Sequence, residues 1–347
     1  MAVSRIKWID CVRAVAMIMI ICTHTYTSPY VGSLLFTVNV PIFFVLSGYL
    51  TKQKSIKQTV IKGVTNLVIP YLFTAFLMFM LSLVPSWGHV KGFQDNPYWY
   101  NYLLAGLYGI GEPTKQSIFP HFLMPSIGAI WFLIAMYFGN IMFQICLKYV
   151  GCDRSLPSTI ILLCYGLVAS LLGIYISKYV HLPWSLNSAL ISQFFYVIGY
   201  LIRKYNFVEI EIRNIVVCTV ALLFCLWAAK YGPFLTSIGF APRPIINILG
   251  ATAGSYSLMF IFKLIDLKIQ IPLLPKLGHL SMITLCVHII GLNIFSDVAI
   301  VSGKLISQGI SPSSVGILMD TYRVLICWIA TLILYKSSFA RRIFAIR

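Results

Sequence analysis

Three ionisable residues of types that bind anions or move protons share the first apolar stretch of this chain: Asp10, Arg13 and His24. On a helix that turns about 100° per residue, the steps of three, eleven and fourteen between them bring all three to roughly one face. With a rise of about 1.5 Å per residue, Arg13 and His24 stand roughly 16 Å apart along the axis. One then sits near the start of a membrane span and the other most of the way across. Such residues are costly at membrane depth, on the order of 3 kcal/mol each, and usually face a bundle interior or a water-filled path. A neutral imidazole in an apolar bundle can accept a proton from a hydroxyl, so His24 is read as a general base. Asp10 and Arg13 are spaced i, i+3 and can pair on the helix. Two roles stay open for them. Either the pair only neutralises itself near the inner boundary, or Arg13 offers its fork of donors to a phosphate or carbonyl oxygen arriving from the cytoplasm.

Other polar residues stand in otherwise apolar surroundings. Ser281 and His288 are seven apart, on one helical face, and His288 suits either packing or the lining of a pore. Asp320 and Arg323, again i, i+3, lie in the outer half of the last apolar stretch and either contact a substrate or neutralise each other. The second stretch ends with Ser47 and Gly48, which permit close helix packing, and is followed by Lys52, Lys54, Lys57 and Lys62. Lys57 and Lys62 flank its inner mouth and are able to hold phosphates as point charges.

The elements that must position these groups are membrane helices. Hydrophobic residues make up 59% of the 347 and charged residues 10%, and mean hydropathy is +0.88, far from a soluble globular composition. Apolar stretches near 9–29, 33–51, 64–85, 127–149, 158–178, 184–203, 212–230, 244–265, 278–300 and 316–336 predict a polytopic all-α bundle of ten transmembrane helices. The first stretch carries the charged stripe and lacks a small-residue cleavage site, so it reads as retained. Of the 26 lysines and arginines, 18 fall on inner segments and 6 on outer ones when the amino terminus is placed inside. The bias holds at every inner loop and predicts that both termini are cytoplasmic.

A net charge of +17 suggests nucleic acid at first sight, yet the cations are scattered over short inner loops, which excludes that reading. They suit anionic lipid headgroups or a cytoplasmic anionic cosubstrate. None of the nine cysteines falls in an expected outer loop and none forms a CxxC pair, so neither disulfides nor a metal site are expected. The chain reads as one domain over 1–347, with no repeat of fixed period. Its longest connection, about 86–126, faces outward and is rich in proline and aromatic residues; its middle, Tyr98 to Ile110, suits an interfacial or re-entrant helix. Such a loop serves either as a lid over a carbohydrate or as an interfacial anchor.

The residues resemble those of the acyltransferase 3 family of integral membrane acyltransferases, in particular the branch that O-acetylates bacterial surface sugars. Arg13 followed after ten residues by His24 is similar to the family's Arg-x(10)-His signature, and Pro41 to Leu50 to its PxFFxxSGxL stretch. Lys62 to Tyr71, ending Leu67-Val68-Ile69-Pro70-Tyr71, resembles the basic start of its third span. Trp131-Phe132-Leu133, and Gly278-His279-Leu280-Ser281 with His288, resemble weaker signatures. Neither a Trp-Ser-Leu-x-x-Glu block nor an attached soluble hydrolase-like domain, carried by some members, is expected within these 347 residues. The resemblance implies a protein of the bacterial cytoplasmic membrane that takes acetyl-CoA, or a longer acyl-CoA, as cytoplasmic donor, with no metal. Its acceptor would be a hydroxyl of a cell-surface glycan or of its lipid-linked precursor. His24 would then act as base, Arg13 in donor binding or in organising Asp10, and Lys57, Lys62, Ser47 and Gly48 on the donor side. Trp131, His288, Asp320 and Arg323 would serve the acceptor. The rival expectation is a transporter or channel in which the intramembrane Arg, His and Asp form a substrate or proton path; against it, no matched pair of broken helices is legible.

Overall fold

The computed structural model describes residues 6–24, 28–83, 99–119, 121–151, 155–268, 272–294 and 297–346. The first part of the proline-rich outer connection, up to residue 98, lies outside the described residues, as do residues 25–27 of the first apolar stretch and Cys152 to Arg154. The elements run α1 (Lys7–Cys22), α2 (Pro29–Val38), α3 (Pro41–Leu50), α4 (Ile56–Gly63), α5 (Ile69–Ser82), α6 (Trp99–Tyr108), α7 (Trp131–Val150) and α8 (Leu156–Ser177). They continue with α9 (Leu186–Ile191), α10 (Gln193–Lys204), α11 (Ile212–Ala228), α12 (Pro244–Lys268), α13 (Leu273–His279), α14 (Ser281–Ile294), α15 (Asp297–Ser307), α16 (Pro312–Lys336) and α17 (Ser338–Ile343). Seven helical stretches among the described residues are long and apolar enough to cross a membrane, and nine if each of two bent pairs counts as one span. These overlap nine of the ten stretches expected from sequence; α1, at 16 residues too short to count as a span, overlaps the first.

Local chemistry sets where the helices begin. Ser28, Ser155 and Ser311 each accept a backbone N–H of the first turn, from Val31, Ser158 and Ser314, and a proline stands in that turn. The proline has no N–H to leave unpaired and its φ is already helical. Proline also explains two interruptions. Pro41 divides α2 from α3 inside one span, and the Asn39 side chain takes the Val40 N–H at 2.8 Å. Pro70 removes the N–H that would bond to Asn66, and the turn before it, Val64–Val68, widens into a π-helix joining α4 to α5.

Two of the stretches expected as spans are bent, Pro183–Ile191 with Gln193–Lys204 by 46° and Leu273–His279 with Ser281–Asn293 by 72°. Ser192 at the first bend satisfies itself on the Ala189 carbonyl at 2.7 Å. Two broken spans are thus present among the described residues, which the apolar pattern alone did not show.

Close backbone contacts hold the bundle. A Cβ on Gly48 would overlap the Tyr196 carbonyl, and one on Gly199 the Val45 carbonyl, so α3 and α10 cross with backbones touching. Gly278 of α13 lies in the same way against the Asp10 carbonyl of α1. Ten of the sixteen residues of α1 are buried, and the helix is enclosed by α2, α3, α12, α13, α14 and α16. By contrast α16 lies at the periphery, with 17% of its apolar window buried.

Candidate active site

The site is built where α1 stops. The Thr23 hydroxyl donates to the Ile20 carbonyl at 2.7 Å, and the His24 N–H donates to Ile21 at 3.2 Å. These bonds close the helix at Cys22, short of the expected span to residue 29. His24 thus sits in a turn beyond the helix, and its position follows from that turn and not from a helical face shared with Asp10 and Arg13.

Its side chain opens onto a cavity of about 320 Å³. One wall is the α2/α3 break, with Asn39 and Val40; another is the start of α7, with Trp131; a third is the 234–237 loop; Arg323 of α16 and Asn293 of α14 complete it. Gly111, Glu112 and Pro113 enclose it from the loop after α6, at the end of the bundle that the basic residues assign to the outside. Two glycines are required here. A Cβ on Gly111 would strike the Trp131 indole, and Gly128, at φ +71°, would strike Ile289.

That loop is tied down at several points. Thr114 and Met124 exchange backbone bonds at 3.1 and 2.8 Å, and Ile127 donates to Ile110 at 2.9 Å. Across the bundle, Trp184 Nε1 donates to the Leu107 carbonyl at 3.0 Å and Ser185 Oγ to Gly109 at 2.6 Å. Trp184 and Ser185 both hold left-handed backbone, at φ 58° and 51°, a cost of about 1–2 kcal/mol each that these contacts offset. Glu112 keeps an exposed face, yet the protein around it raises its carboxyl above the usual carboxylate range by desolvation.

Four of the candidate residues come together at this end. The His288 ring, 1% exposed, lies against His24 with centroids 5.3 Å apart and planes at 39°. Its Nε2 has no hydrogen-bond partner among the described residues. Trp131 and Arg323 line the cavity itself. Asp320, one turn from Arg323, lies beside the Cys22 thiol on α1.

The remaining candidates lie elsewhere. Arg13 Nη1 meets Asp10 Oδ1 at 3.0 Å, with the Arg13 side chain 32% exposed and that of Asp10 10%. Neither lines the His24 cavity, and between them and it α1 presents Ala14, Ala16, Met17, Ile20 and Ile21 to the core. Ser47 donates to the Met136 sulfur at 3.7 Å, and with Gly48 it serves the packing of α3 on α7 and α10. Lys57 and Lys62 project from exposed positions on α4. The linker before α4 is clamped by the buried Gln144, which accepts the Lys54 N–H at 3.2 Å and donates to the Lys52 carbonyl at 3.0 Å.

Sequence reasoning passed over Asn39, Glu112 and Asn293. Each left a signal: Asn39 and Asn293 interrupt apolar stretches, the first two residues before a proline, and Glu112 is one of only nine acidic residues.

A polytopic helical membrane protein with a histidine-lined cavity near one end of the bundle is the class this fold and site define. The acyltransferase 3 profile, described as an acyltransferase domain, matches residues 6–334, so the chain belongs to that family of membrane acyltransferases. No curated protein and no solved structure matches the chain.

Proposed function

We propose that the protein is an O-acetyltransferase of the bacterial cytoplasmic membrane that moves an acetyl group from cytoplasmic acetyl-CoA to a hydroxyl of a cell-surface glycan or its lipid-linked precursor. The observation that carries this reading is His24 opening onto a cavity with Trp131, Asn39, Asn293 and Arg323 around it, under a tethered loop. Indole and amide side chains of this kind bind sugars by stacking and by hydrogen bonds. In the proposed step His24 takes the proton of the acceptor hydroxyl while its oxygen attacks the thioester carbonyl carbon. The carbon–sulfur bond then breaks and coenzyme A leaves as thiolate, which receives a proton. The oxyanion formed on the way needs a donor, and we assign that role to the side-chain NH₂ of Asn39, which lines the cavity and whose oxygen already accepts the Val40 N–H. On the opposite side, Lys57 and Lys62 attract the phosphates of the donor, and Arg13 either assists them or holds Asp10.

The test is acetyl transfer by purified protein with acetyl-CoA, comparing wild type with His24→Ala. A general base contributes about 10²–10⁴ in rate, so transfer should fall by that factor while the folded fraction is unchanged, because the side chain faces a cavity. Unchanged coenzyme A release and glycan acetylation in the variant would remove His24 from the mechanism.

A further inference from the structure

A second cavity of about 330 Å³ lies between α14 and α16 and shares Leu292 and Arg323 with the first. Its outer rim, Tyr322 and Ile326, is exposed on the peripheral face of α16. That face continues in Ile317, Leu318, Leu325, Ile329 and Ile333, all exposed and apolar, so the groove opens toward hydrocarbon. Its floor is kept empty by Gly291, where an added Cβ would meet nothing within 4 Å. Glycine inside a helix is unfavourable relative to alanine, and no close helix contact accounts for it here.

The inner end of the groove is polar. Arg323 contributes a fixed cation, and His288 lines the groove while its fully buried Nε2 lacks a partner among the described residues. Buried polar atoms are satisfied in folded proteins, so an orphaned imidazole nitrogen marks a missing hydrogen-bonding group. Beyond that end lies His24, in ring contact with His288. Apolar groove, Arg323–His288 junction and His24 cavity therefore follow one another without interruption.

We infer that the groove between α14 and α16 seats the alkyl tail of a phosphate-linked glycolipid, with its phosphate at Arg323 and His288 and its sugar in the His24 cavity. This rests on the transferase reading and narrows it: the acceptor is the lipid-linked glycan, delivered laterally from the bilayer. A soluble sugar would have no cause to approach through hydrocarbon, whereas a chain-bearing one partitions there.

The experiment uses the full-length protein in phosphatidylcholine nanodiscs and a photoreactive polyprenyl phosphate as probe, with crosslinks mapped by mass spectrometry. Wild type should label on α14 and α16, and unlabelled polyprenyl phosphate should compete about tenfold better than the matching alcohol, with inorganic phosphate ineffective. Gly291→Phe should abolish labelling and Gly291→Ala should preserve it; Ile326→Trp at the rim replaces the first variant if that one fails to fold. Arg323→Gln should make phosphate and alcohol equal competitors. Wild-type labelling in Gly291→Phe, or equal competition by phosphate and alcohol in wild type, would show that bulk lipid alone fills the groove and would overturn the inference. His24→Ala should label as wild type does. Specific labelling by a wild-type protein that transfers no acetyl group would uphold the lipid site while refuting the transferase reading.

Discussion

Arg13→Gln, Asp10→Asn and their combination decide between the two roles left open for the charged pair of α1. The two side chains meet at 3.0 Å, where the gross attraction at an effective dielectric near 20 is about 5 kcal/mol. Much of that is offset by desolvation and by the partial exposure of Arg13, since exposed pairs net only about 0.2–1 kcal/mol while breaking a buried pair costs about 3–5. The asymmetry of the pair carries the prediction. Arg13→Gln takes a cation away from a carboxylate only 10% exposed, whereas Asp10→Asn takes a carboxylate away from a guanidinium that is 32% exposed. The first should therefore cost about 1–3 kcal/mol, the second under about 1, and the double variant should recover most of the larger loss. Reversible unfolding in mixed micelles gives the stabilities, and initial rates against acetyl-CoA give the donor KM for the same four proteins. Recovery of both stability and KM in the double variant assigns the pair to structure. Recovery of stability with KM still raised assigns Arg13 to the donor. Equal single-variant costs, or a double variant that is simply additive, would refute the energetic argument.

Further outcomes follow from the packing and the loops. Gly199→Leu should drive α3 from α10, costing about 1–3 kcal/mol or more as overpacking, and reduce the monodisperse fraction on size-exclusion chromatography; an unchanged profile would mean the helices do not touch there. Exchanging Lys57 and Lys62 together for Gln should raise the KM for acetyl-CoA more than that for the acceptor, and an unaltered donor KM would remove them from donor binding. For Glu112 the raised carboxyl value means that the folded protein keeps its proton to higher pH than the unfolded chain. Stability is then greater on the acid side and falls as pH rises through that value. Glu112→Gln should match wild type in acid and exceed it slightly at neutral pH, the effect being small because the side chain is partly exposed; melting curves whose difference is flat with pH would contradict this.

How much of this was legible beforehand differs by residue. The apolar stretches, the polytopic helical fold and the family were readable because hydrocarbon imposes a length and composition on any segment that crosses it. Trp131, Arg323 and His288, far apart in sequence, could be singled out as polar or amphipathic residues in apolar runs, but nothing local said that His288 rests on His24. The bends at Ser192 and Leu280 were not readable, since a mid-span break satisfied by neighbouring helices leaves hydropathy unchanged. The helix end at Cys22 was missed for a related reason: Thr23 closes the ladder with its own hydroxyl, and threonine in an apolar run gives no such warning.

Sequence by itself determined that this chain lives in a membrane, how many apolar stretches it offers, and which intramembrane residues carry charge or titrate. Those properties are sums over local composition, and the bilayer reads them one segment at a time. Only the tertiary structure decided that Arg13 closes on Asp10 away from the cavity, that His24, His288, Trp131 and Arg323 gather at one end, and that a lipid-side groove meets them there. Such proximities depend on which backbones can touch, at Gly48 with Gly199 and at Gly278 with Asp10, and that is a property of helix pairs and not of any one helix.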